Sequence, residues 1–203
     1  MAEVKEYALA NIARVDIITE EEDPKSYILK DIASEAEVLA YVSEGEEKPL
    51  RVKNTIKAQN NTEDIVMGYD LKFIYATLVP EVLALVDGGT WDPEKKKYKA
   101  APIGMPVEKT SFTTHVYTED KDGNGDTKGY IRFIYKHCKG KPVNYSLQDG
   151  EFFVPELSMR SRPKLMKSPV EFDIVDELPD EPYIEVEPEI EKARASQPKT
   201  DKE

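Results

Sequence analysis

Cys138, His115 and His137 are the residues of this chain best suited to nucleophilic, basic or soft-metal chemistry. A cysteine nucleophile needs an imidazole beside it and an acid to orient that imidazole. His137 is adjacent to Cys138 in a strand-like stretch, and neighbouring strand residues point to opposite faces. Cys138 therefore reads as a partly buried strand thiol. Two histidines and one cysteine cannot assemble a His-rich or Cys-rich zinc site within one chain. A single cysteine also excludes an intramolecular disulfide and fits a reducing compartment. No cofactor is expected.

A calcium reading arises at Asp120, Asp122 and Asn124, which with Gly125 match the first half of an EF-hand loop. The position that needs a bidentate glutamate is Ile131, and no flanking helices are predicted, so the segment reads as a hairpin turn whose Asp, Asn and Gly supply positive φ angles. The lysine run 95–97, flanked by Asp92 and Glu94, reads as a solvated turn. Paired carboxylates of glycosidase type have no sequence signature to reject, but nothing selects a pair. There is no G-x-S-x-G elbow, Walker-type loop or dinucleotide fingerprint, and the expectation is a protein that is not an enzyme.

The elements that would position any such residue are strands. Over residues 65–75 the chain is rich in β-branched and aromatic residues, whereas Val79, Val82, Leu83 and Val86 follow helical spacing. Thr77 is the expected cap, Pro80 suits the first turn, and Gly88-Gly89 ends the helix. About ten residues are too few for an isolated helix, so this one must lie on a sheet. Strand patterns at 36–43 and 50–60, with 43–49 as the turn between them, predict a long polar hairpin. Residues 110–118 and 130–135 predict a second hairpin through 119–129. Further strands are expected at 143–147, 151–159 and 167–175, with Asp149-Gly150 as a hairpin turn. Residues 88–106 read as a loop carrying Trp91. Short strands with turn signals about every ten residues indicate an antiparallel β-sandwich or barrel with one short α-helix at about 79–87.

The chain has 203 residues, of which 39% are hydrophobic and 33% charged, with a formal net charge of −12. That length gives one domain with extensions: an N-terminal strand or arm at 1–24, a β-sandwich at 25–175 and an acidic, proline-interrupted tail at 176–203. The acidic balance argues against a surface that grips phosphates. No stretch has the pattern of a signal peptide or the ~20 apolar residues of a membrane helix.

The strand carrying Gly68-Tyr-Asp-Leu71, followed by V-P-E-V-L-A-L-V-D-G-G at 79–89 and then by a long strand near 112–117, a glycine-rich turn ending at Gly129 and a strand from Tyr130, resembles the major tail proteins of long-tailed bacteriophages. The resemblance covers residues 25–175 and rests on the combination, because no single motif is chemically specific. It implies a virion subunit of the tail tube type, made in the host bacterial cytoplasm, whose hexameric rings stack into a conduit for DNA ejection. The implied partners are further copies of the chain and other tail proteins such as the tape measure and the tail tip or terminator proteins. DNA would pass through without specific binding, and the chain would not insert into a membrane.

Rings also need contacts along the axis. The expected ones lie on the polar hairpin, at Glu44, Glu46, Arg51, Lys53 and Lys57, and on the acidic segment, at Asp176, Glu177, Glu185 and Glu187, with the N-terminal segment as a further arm. The competing expectation is a monomeric β-sandwich that binds a carbohydrate or protein through Trp91 and Tyr98.

Overall fold

The structure is a computed structural model and describes residues 5–30 and 32–183. In chain order the elements are β1 (Leu9–Thr19), β2 (Ser26–Leu29), β3 (Ile32–Ser43), β4 (Glu47–Val52), β5 (Thr55–Asn61), β6 (Ile65–Tyr75), α1 (Pro80–Asp87), β7 (Thr90–Asp92), β8 (Lys97–Lys99), β9 (Phe112–Lys121), β10 (Thr127–Gly140), β11 (Glu156–Ser161) and β12 (Glu171–Val175). One antiparallel sheet has the order β2-β1-β9-β10-β11-β6-β3, with β12 also paired to β10. The sheet curls until β3 approaches β1. The fold is mainly β, an antiparallel sandwich-type body with one short helix.

Alternation builds the core. Leu71, Phe73 and Tyr75 on β6 face inward opposite Leu157 and Met159 on β11, and Val15, Ile17, Phe112, Val116 and Tyr135 complete the apolar layer. Fully burying each such side chain contributes ~1.5–3 kcal/mol. α1 closes the layer with Val82 and Val86, both buried. Its N-cap is Val79, which makes no side-chain capping bond, and not the expected Thr77. Pro80 does occupy the first turn, and Gly88 ends the helix at φ 82°. One carbonyl that the helix leaves open is met from outside, because the Lys109 ammonium donates to Val86 O and also to Gly140 O at the end of β10, each at 2.9 Å.

Three sequence expectations change. The long hairpin does not turn at 43–49. β3 pairs with β6, β4 pairs with β5, and the reversal lies between Val52 and Thr55. Residues 44–46 instead face 62–64 at a constriction, where Gly45 N donates to Asp64 Oδ1, Glu46 N to Thr62 Oγ1 and Thr62 N to Glu46 O. A Cβ on Gly45 would lie 1.9 Å from Thr62 O. Two runs of turn-forming residues thus sit opposite one another and pinch one ribbon into two ladders.

Asp149-Gly150 does turn, with Gly150 at φ 81°, but no hairpin follows from it. Both flanks of β11 are taken by β10 and β6, so residues 143–147 contribute only the bridge Asn144↔Glu156. Residues 88–106 are not all loop, because β7 and β8 pair Trp91 with Tyr98.

Candidate assembly surface

The β4–β5 ribbon continues the β3–β6 pair out of the body, and all of β5 is exposed. Leu50 and Ile56 are 60% and 57% exposed, although large apolar residues in a two-stranded ribbon stabilise it only when something covers them. β3 is the terminal strand of the large sheet, so its outer edge is unpaired among the described residues, and Val38, Leu39 and Val42 are exposed along it. Beyond the stretch that β1 approaches, a partly apolar edge without ladder hydrogen bonds is a template for another chain.

Glu44, Glu46, Arg51, Lys53 and Lys57 are all exposed on this ribbon and its base. Glu46 pairs with Lys48. Lys53 sits in the turn at φ 54°. Asp176 and Glu177 are exposed where the chain leaves β12, beside the Tyr130 end of β10. Glu185 and Glu187 lie outside the described residues.

Sequence reasoning missed a polar row that crosses the sheet. Arg14, Tyr117, Arg132 and Asp173 stand in register on β1, β9, β10 and β12. The Arg14 guanidinium donates to both oxygens of Asp16 at 2.5 and 2.6 Å, in a setting where Asp16 is fully buried. Arg132 donates to both carboxylate oxygens of Asp173. The chain after β12 lies over this row. Pro179 O accepts from Arg14, and the Tyr183 ring lies 4.3 Å from the Arg132 guanidinium carbon. The signal was the isolated R-V-D at 14–16, charged residues inside an otherwise apolar strand.

A second polar cluster borders a groove of about 610 Å³ beside β10 and β11, lined by His137, Lys139, Lys141, Arg160, Arg162 and Lys164 among others. Asp70 forms its anchor, accepting from Arg160 Nε and Nη2 at 2.7 and 2.6 Å and from Lys141 Nζ at 2.8 Å. Arg160 and Arg162 both lie over the ring of Tyr41 on β3. The paired bonds from Arg160, aided by Lys141 and opposed by partial burial, lower the Asp70 carboxyl to about 2. A carboxylate whose folded value is below its unfolded value adds stability that is complete above about pH 4 and disappears as pH falls through the folded value. Asp70→Asn is therefore expected to cost about 1 kcal/mol at pH 7, discounted for a partly solvated pair, and only a small part of that at pH 2, where the folded carboxyl is half protonated. Urea midpoints of the two proteins at both pH values check this, and an equal gap at each would refute it.

The remaining candidates for chemistry are structural. Cys138 is buried and donates to Tyr135 O, and burial pushes its thiol up to about 12, so it is not a thiolate at neutral pH. His137 adopts φ 52° and binds Glu20 through both its backbone amide and its ring. Burial alone would raise the Glu20 carboxyl, but the His137 amide, the Thr113 hydroxyl and the His137 ring outweigh it and hold it low. Asp122 Oδ1 accepts from Asn124 N and Asp126 N, which closes the β9–β10 turn with its carboxylate. Among the described residues no group of three or more His, Cys, Asp or Glu could hold a metal ion. The Tyr98 hydroxyl is committed to Asp87 at the helix end, whose other oxygen accepts from Val143 N, and Trp91, paired with Tyr98 across β7 and β8, lines a cleft of about 400 Å³ beside it.

The class that fold and surface define is a curled antiparallel β protein with an open edge strand and a protruding ribbon. No family model and no curated protein matches the sequence. Among solved structures, the chain is similar to one in the cryo-EM structure of the anti-feeding prophage (AFP) baseplate, 6-fold symmetrised, at TM-score 0.42 and 10% identity over 83% of this chain and 97% of that one.

Proposed function

We propose that this chain is a structural subunit of the phage tail tube type, which self-assembles into stacked rings that enclose a conduit for DNA. The observation that carries this reading is the ribbon β4–β5, wholly outside the core and continuous with an edge strand that has no partner among the described residues. A ring of copies completes each open edge with the next subunit and leaves none exposed. Six copies per ring is what the sequence resemblance implies. The ribbon then reaches an adjacent ring, where Leu50 and Ile56 are covered and Arg51, Lys53 and Lys57 meet carboxylates. A net charge of −12 suits a wall along which duplex slides without being held. The alternative, a monomeric binding module built on Trp91 and Tyr98, has less to support it, since the Tyr98 hydroxyl is committed to Asp87 and Trp91 alone of the two lines the neighbouring cleft.

Excising residues 47–61 and joining 46 to 62 through Gly-Ser tests the reading. Thr62 N already bonds to Glu46 O at 3.1 Å, so the junction closes without strain. The variant is expected to melt within about 1 kcal/mol of the parent, because the excised residues lie outside the buried core. Negative-stain electron microscopy should find rings or tubes of uniform width in the concentrated parent and none in the variant. A parent that stays monomeric at every concentration would sink the proposal, as would a variant that assembles like the parent.

A further inference from the structure

The groove beside β10 and β11 is cationic in a chain that is strongly acidic. Lys139, Lys141, Arg160, Arg162 and Lys164 border it, and among the described residues no carboxylate lines it, Glu20 being bonded to His137 at its rim. Asp70, behind it, is committed to Lys141 and Arg160. Lys139, Arg162 and Lys164 are exposed and have no carboxylate partner among the described residues. The spacing of these charges is regular. Lys139 and Lys141 are two residues apart on one chain segment, and Arg160, Arg162 and Lys164 repeat every two residues on the other, with Lys139 directly opposite Arg160. In extended chain a two-residue step is ~6.5–7 Å.

The sequence contains one acidic segment with the same step. Glu185, Glu187, Glu189 and Glu191 alternate with Val186, Pro188 and Ile190, and no Lys or Arg lies between Asp176 and Glu191. Drawn out, that segment presents four carboxylates on one side at the same interval, with apolar residues on the other. We infer that this groove receives residues 185–191 of a neighbouring copy, an inference that rests on the self-assembling reading above.

Reach decides between the chain's own groove and a neighbour's. Tyr183 is held over Arg132, and Arg132 precedes Lys139 by seven residues along β10, roughly 20 Å. Glu185 follows Tyr183 by two residues and stays within ~7 Å of it. The four glutamates therefore cannot all enter the groove of their own chain. A second copy supplies what the first cannot reach. Duplex DNA is the other polyanion with closely spaced charges, but its phosphates have no apolar alternate face and need a groove wider than one chain.

The test is fluorescence anisotropy of a fluorescein-labelled synthetic peptide of residues 183–191 titrated with the full chain. Binding is expected to weaken at least tenfold in Lys139→Glu/Arg162→Glu/Lys164→Glu and to fall steeply with added salt. It should be unchanged in a Lys95→Glu/Lys97→Glu control. Should the reversal variant fail to fold by circular dichroism, Lys139→Gln/Arg162→Gln/Lys164→Gln replaces it. Mixing the groove-reversed chain with one carrying Glu185→Lys/Glu187→Lys/Glu189→Lys/Glu191→Lys should restore association that neither has alone. Equal binding by parent and variant overturns the inference, as does groove-dependent binding of a random-sequence duplex with none of the peptide. Tubes that form while the peptide ignores the groove overturn this inference alone. Groove-dependent peptide binding by a chain that never self-associates overturns the assembly reading and leaves the match of groove and segment standing.

Discussion

Replacing Asp16 by alanine is expected to cost about 3–5 kcal/mol, the range for breaking a buried ion pair from one side. Asp16 is fully buried, and both its oxygens accept from the guanidinium of Arg14, which is itself only 3% exposed. Without the carboxylate, Arg14 keeps the Pro179 carbonyl, the face of Tyr117 and the weaker attraction of exposed Asp180, none of which replaces a paired carboxylate for a charge held away from water. For a chain of this size the loss corresponds to a fall in melting temperature of roughly 6–20 °C. Removing both partners together is a different case, because Arg14→Met/Asp16→Leu leaves no orphaned charge and is expected to fall within about 1–2 kcal/mol of the parent. Thermal and urea unfolding of the two variants separate the effects. A single variant as stable as the double would mean that water reaches Arg14. The row also reaches the assembly question, since Arg14 and Arg132 hold the chain leaving β12 and so set the point from which the acidic segment departs.

Gly140→Val is expected to detach the helix. A Cβ at this position would lie 2.1 Å from Val86 O and 2.5 Å from Val86 Cα, which are backbone atoms that no rotamer change can clear. Either α1 moves off β10 or β10 distorts beside the cationic groove. Moving the helix uncovers Val82 and Val86, worth ~1.5–3 kcal/mol each, and separates the two carbonyls that Lys109 bridges. An eight-residue helix does not survive without its sheet. The expected cost is therefore about 3–6 kcal/mol. Amide exchange reads it directly, because Leu83 N and Gly88 N donate within the helix to Val79 O and Ala84 O and should lose their protection. Gly123→Ala, where an added Cβ meets nothing within 4 Å, is the matched control and should be neutral. Unchanged protection at Leu83 and Gly88 in Gly140→Val would refute the argument.

Local pattern carried a good part of the architecture. The strand at 65–75, the helix with Pro80 at its start and Gly88 at its end, and the hairpin formed by β9 and β10 follow from hydrophobic period and turn chemistry, which neighbouring residues control. Asp122 closing its turn is equally local. The β-rich class follows from the same signals.

What local pattern did not determine is which strand lies beside which. The turn residues at 43–49 look like a reversal in isolation, but they become a pinch because 62–64 stand opposite, and β3 pairs with β6 across the whole ribbon. Asp149-Gly150 turns the chain without making a hairpin, because β10 and β6 already occupy both flanks of β11. The charges at positions 14, 16, 132 and 173 are scattered along the chain and meet only because β1, β9, β10 and β12 lie side by side. Lys139, Lys141, Arg160, Arg162 and Lys164 likewise become one groove through the pairing of β10 with β11. Periodicity is set within a few residues, whereas pairing is set by competition among strands for the same edges across the whole chain, so most elements are legible locally and the charged surfaces they build are not.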